Sequence, residues 1–174
     1  MNAKSKTPHH NREDFGIVTE PGTLRFERLL PGPIERVWAY LTESEKRGKW
    51  FASGEMELRV GGKIDLKFLH SELSHEKEYP EKYKQIEKGI TIPCRITQCE
   101  PPRLLAYVGM GGPLDETEVT FELSKQSKDV LLVLTNRRLP TRADVVGNAS
   151  GWHAHLGILI DNLNGDRPRG FWST

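Results

Sequence analysis

The sequence predicts an α+β domain in which a long C-terminal helix lies across a curved antiparallel sheet of about seven strands, with short helices after the first strand. Two patterns carry this expectation. Several short segments alternate apolar and polar residues with a period of two, as strands do when one face is buried and the other wet. From Arg142 to Asn164 the apolar period instead becomes that of a helix.

The elements follow in chain order. Residues 1–21 are polar and aperiodic and read as a flexible leader; His9 and His10 fall inside it. Thr23 to Leu30 reads as a strand with Leu24 and Phe26 on one face, ended by Pro31-Gly32-Pro33. Pro33 suits a helix start, and Ile34, Val37, Trp38 and Leu41 then share one helical face. Ser44 can cap a second short helix ending near Trp50.

Met56, Leu58 and Val60 alternate with charged residues, as do Ile64, Leu66 and Phe68. Gly61-Gly62 between the two runs predicts a hairpin. Residues 71–88 are a charged excursion expected to be mobile. Strand patterns resume over Gly89 to Gln98, Leu104 to Val108, Val119 to Leu123 and Val130 to Leu134. The loop from Gly109 to Pro113 lacks the lysine and spacing of a phosphate loop.

In the final helix, Val145, Ala149, Trp152, Leu156, Leu159 and Leu163 fall within about 40° of one line, and this stripe must face the sheet. Ile158 falls on the outer side, either as a lone exposed apolar residue or as part of a dimer contact. Asn164-Gly165 supplies a stop, and residues 166–174 read as a tail. Gly147, Gly151 and Gly157 each weaken a helix interior, which suggests close backbone approach, a bend or unfilled space.

Composition narrows the chemistry. The chain has 174 residues, enough for one domain (22–165), and 36% hydrophobic with 28% charged residues suits a globular, polar-surfaced protein. Lys and Arg total 25 against 24 Asp and Glu, a balance that argues against electrostatic capture of nucleic acid or membrane. No apolar run is long enough to cross a bilayer and the N-terminus lacks a signal-peptide core, so a cytoplasmic location is expected. Cys94 and Cys99 are expected to be unpaired, a sign of a reducing compartment. His153 and His155 lie on opposite borders of the stripe and cannot share a metal. Neither a metal, a cofactor nor a set of catalytic residues is indicated.

Four blocks of sequence resemble the SRPBCC, or START-like helix-grip, superfamily. They are Leu29 to Leu41 with Val37-Trp38, Met56 to Lys63, Cys99 to Leu104, and Gly151-Trp152-His153-Ala154-His155-Leu156. Within it they are similar to the branch of activator of heat-shock protein 90 ATPase homologues. The resemblance runs from Thr23 to Gly165 and implies a sheet gripping the last helix around an apolar chamber. Members of the superfamily bind lipids and polyketides, act as aromatase-cyclases or resistance proteins, or assist chaperones.

The expectation is therefore a binding domain for a small apolar or aromatic molecule. Trp38, Trp50, Phe68, Tyr107, Phe121, Trp152, His153 and Leu156 are the candidate chamber residues. A chaperone co-factor or protein-interaction module is the alternative. An enzyme using His153, Tyr107 or Glu118 as acid–base groups ranks last.

Overall fold

The computed structural model describes residues 15–111 and 116–174; most of the expected leader, with His9 and His10, and the end of the glycine-rich loop lie outside them. Among the described residues, seven strands form one sheet: β1 (Ile17–Glu20), β2 (Thr23–Pro31), β3 (Lys63–Phe68), β4 (Ile90–Glu100), β5 (Leu104–Val108), β6 (Glu118–Gln126) and β7 (Asp129–Arg137). Their order is β1-β2-β7-β6-β5-β4-β3, antiparallel throughout. The helices are α1 (Ile34–Thr42), α2 (Ser44–Arg47) and α3 (Arg142–Asn164). This is the helix-grip architecture, with α3 against the apolar face.

The number of strands matches the expectation, but their identity differs twice. Residues 17–20, placed in the leader, form β1 and pair with β2. The expected strand from Met56 to Val60 is absent: Met56 makes a single bridge to Ile64, and Leu58 and Val60 are exposed. The reason lies in the two glycines. Gly61 N–H donates to Ile96 O, and Ile96 N–H donates to Gly62 O, so the pair faces β4 instead of closing a hairpin. The preceding residues curl into a tight turn in which a Cβ on Gly62 would lie 2.0 Å from Glu57 O.

Cys94 and Cys99 are free. The register shift between Ile96 and Gln98 restarts the alternation of β4, and Cys99 as well as Cys94 packs against the core.

Ile34, Val37, Trp38 and Leu41 of α1 are buried, as the spacing predicts. At the end of α2, Arg47 is almost fully buried. Its guanidinium donates to the carbonyls of Thr42, Ala52 and Gly54, which fastens the α1–α2 corner to the chain entering β3.

Helix α3 begins with a capping box. Thr141 Oγ1 accepts from Asp144 N–H, and Asp144 Oδ2 accepts from Thr141 N–H, both at 3.1 Å. It ends at Gly165 in the left-handed region, φ 76°. Trp152, Leu156, Leu159 and Leu163 are buried along the expected stripe. Ile158 is also fully buried, contrary to its expected outward position. The C-terminal half of α3 is enclosed on several sides: Asn162 donates to Lys49 O, Arg36 donates to Leu163 O, and Arg169 lies over Gly157.

Residues 166–174 are not a loose tail. Asp161 accepts from the backbone N–H, Nε and Nη2 of Arg169. Beyond it the chain folds back on the excursion: Phe171 N–H donates to Ser74 Oγ (3.2 Å) and Trp172 N–H to Glu76 Oε2 (2.6 Å). One 3-10 turn, His70–Glu72, leads into the excursion and another, Glu81–Ile86, lies within it, and the excursion buries Leu73, Ser74 and Tyr79. Among the described residues, no helix is long and apolar enough to cross a membrane.

Candidate ligand-binding site

The row of α3 that faces the sheet carries large side chains, and these decide where space remains. Trp152 donates its indole N–H to Asn136 Oδ1 on β7 at 3.0 Å and meets Phe121 of β6 edge-on at 5.8 Å. Leu156, Leu159 and Leu163 continue the row, none more than 3% exposed. Trp38, Trp50, Tyr107, Phe121 and Leu156, expected to line a chamber, are all core residues. Trp50 is fully buried and donates from Nε1 to Tyr40 O at 2.8 Å. Burial raises the pKa of the enclosed Tyr107 hydroxyl well above its usual range.

Room opens beside the N-terminal half of α3, where Gly147 and Gly151 stand. A Cβ added at either glycine would meet nothing within 4 Å. Two adjoining cavities share Gly147, Gly151 and His155 in their walls. The larger, about 360 Å³, lies between α3, the excursion and the C-terminal segment. His70, Tyr83, Ile86, Ala154, Phe171 and Trp172 supply most of its apolar and aromatic surface, and Lys82, Ser150 and Thr174 add polar groups. The smaller, about 170 Å³, reaches inward to Phe51, Phe68, Met110 and Trp152. Gly157 differs from the other two glycines: a Cβ there would lie 2.9 Å from Arg169 Cδ, so its role is close approach.

The rings that line the two cavities form a continuous cluster. Phe51 stacks on Trp152 at 5.0 Å and meets Phe68 edge-on at 4.9 Å. His155 lies 4.8 Å from Phe171 and 5.7 Å from His70, measured between ring centroids. Trp172 stacks on Tyr83 at 5.0 Å, and Lys82 Nζ sits 4.8 Å from the Tyr83 ring centre.

Burial governs the two histidines. His155 Nδ1 lies 2.8 Å from Trp50 O, which fixes the ring; desolvation lowers its pKa to about 3, partly offset by that hydrogen bond. Desolvation also lowers the pKa of His70 to about 4. Both imidazoles are therefore neutral at pH 7. His70 Nδ1 and Trp172 Nε1 are buried and have no hydrogen-bond partner.

Of the expected residues, only Phe68 and Trp152 line this site. His153 does not: its ring stacks on Phe15 at 4.1 Å, on another side of α3. His155 takes the inward position instead. Tyr83, Phe171 and Trp172 were absent from the expectation because they come from segments read as excursion and tail, and His70 because it falls between the expected strand ending at Phe68 and the excursion. Their aromatic content was the available signal. Among the described residues, no group of three or more His, Cys, Asp and Glu side chains is arranged to hold a metal ion.

Comparison with known proteins gives a family and a set of similar folds. The model of the family described as "Activator of Hsp90 ATPase homolog 1-like protein" matches residues 31–164. A solution structure from Bordetella parapertussis is 43% identical, with a TM-score of 0.78, over 91% of this chain and 83% of that one. The crystal structure of CalU16 from Micromonospora echinospora shares the fold at 24% identity and a TM-score of 0.63, over 91% and 86% of the two chains. The solution structure of the Aha1 dimer from Colwellia psychrerythraea does so at 15% identity and 0.59, over 81% and 95%. No curated protein matches this chain.

Proposed function

Because the chain belongs to the activator of Hsp90 ATPase homolog 1-like family, we propose that it binds a small, flat, largely apolar molecule in the cavities beside α3. One observation carries the reading: Gly147 and Gly151 leave the helix bare where an aromatic wall faces it. Side chains at those positions would fill the space and favour the helix, so their absence keeps room for a guest. The rings of Phe51, Phe68, Trp152, Phe171 and Trp172 favour a ring-containing ligand through area burial and offset stacking. His70 and His155 are weak bases because burial opposes their protonation, so the site suits binding better than proton transfer.

A second reading is a protein-docking module, with a chaperone as the partner class. It draws on exposed apolar side chains near the β1 edge: Phe15, Ile17, Val18 and Val146. Val18 and Val146 line one open groove with Pro21, Leu139 and Pro140. A thermal-shift screen of fatty acids and polycyclic aromatics separates the two readings. A concentration-dependent rise in melting temperature supports the binder. No rise with any compound, together with retention on an immobilised heat-shock protein 90, favours the docking module.

A further inference from the structure

Among the described residues, three buried side-chain polar atoms lack a hydrogen-bond partner, and two of them, His70 Nδ1 and Trp172 Nε1, belong to residues that line the larger cavity. Folded chains pair almost all such atoms, so two orphans in one wall point to a guest that supplies the partner. The rings lie 5.4 Å apart between centroids. They come from segments far apart in sequence, one beside β3 and the other after α3, which the hydrogen bonds of Ser74 and Glu76 hold together.

The two nitrogens ask for different things. An indole nitrogen only donates, whereas a neutral imidazole has one donor and one acceptor nitrogen. A hydroxyl accepts from the first and donates to the second when His70 carries its proton on Nε2. We infer that the ligand is a flat ring carrying a phenolic or enolic hydroxyl, which accepts from Trp172 Nε1–H and donates to His70 Nδ1. Both nitrogens are closed to solvent in this structure, so binding includes a shift of the half-buried Trp172 indole that opens them to the hydroxyl. This inference rests on the binding reading above and adds the polar group that the site selects.

The test uses three probes of matched shape: 2-naphthol, 2-methoxynaphthalene and naphthalene. Wild-type protein should bind 2-naphthol about tenfold more tightly than naphthalene, with 2-methoxynaphthalene, an acceptor only, between them. His70→Phe should bring 2-naphthol down to the methoxy compound. Trp172→Phe should weaken both oxygen-bearing probes towards naphthalene. Melting curves identify any variant that fails to fold, and the wild-type ranking stands without the variants. Equal wild-type affinity for all three probes overturns the inference and leaves the binding reading intact; it would mean that water serves the two nitrogens. Failure of all three to bind overturns both.

Discussion

The indole nitrogen of Trp152 and the side-chain oxygen of Asn136 lie 3.0 Å apart, joining α3 to β7 by a hydrogen bond inside the core. Asn136 is 2% exposed and donates in turn to Glu118 O on β6. One polar residue thus satisfies the tryptophan and ties two strands together. Trp152→Ala removes a core ring and should cost about 3–5 kcal/mol of stability. Trp152→Phe keeps most of the area but leaves Asn136 Oδ1 unpaired, at about 1–3 kcal/mol. Urea unfolding of the two variants checks both values.

The helix glycines should respond differently to alanine. At Gly147 and Gly151 the added methyl meets nothing, so each change should stabilise by about 0.5–1 kcal/mol. At Gly157 it meets the Arg169 side chain, which Asp161 holds in place, and no gain is expected. Melting temperatures of the three single variants provide the comparison.

Acid should destabilise the protein before its carboxylates titrate. The pKa of His155 falls from 6.5 in the unfolded chain to about 3 when folded, because burial opposes the charge. Between those values the unfolded state binds more protons, so stability falls as pH falls from about 6.5. His155 alone should cost about 2 kcal/mol by pH 5. His70, lowered to about 4, acts in the same direction, and its smaller shift sets it apart from His155 only below about pH 5. Denaturant midpoints at pH 7.5 and pH 5 should differ accordingly, and His70→Phe should reduce the difference.

The C-terminal segment should behave as part of the domain. Phe171 is 8% exposed within the ring cluster, and Phe171→Ala should cost about 3 kcal/mol. Asp161→Ala leaves Arg169 without its carboxylate at a site only partly open to water, and should cost about 1–3 kcal/mol. Hydrogen exchange should then speed up at Phe171 and Trp172, and at Ser74 and Glu76 as well, since the two segments are bonded to each other.

Periodicity made the fold legible because periodicity is what burial on one face requires. The stripe of α3 and the alternation of β3 and of Val119, Phe121 and Leu123 in β6 are visible for that reason. Met56 to Val60 misled because alternation shows the faces of a strand but not its partner, and Gly61-Gly62 bonds to Ile96. Much less of the site was legible. Trp38, Trp50, Tyr107 and Phe121 fill the core instead of lining a cavity, a distinction that only packing makes. His153 and His155 are equivalent by spacing until Phe15 and Trp50 claim opposite sides of the helix. Phe171 and Trp172 reach the site by tertiary return of the chain, which no local pattern announces.

The central claim is that the space opposite Gly147 and Gly151 receives a ligand. Gly151→Leu tests it most directly, because a Cβ there meets nothing within 4 Å and the change favours the helix. Calorimetric titration with 2-naphthol should give saturable binding to the wild type. Gly151→Leu should melt at or above the wild-type temperature and show binding weakened at least tenfold. Undiminished binding to a folded Gly151→Leu protein would place the ligand elsewhere and contradict the account.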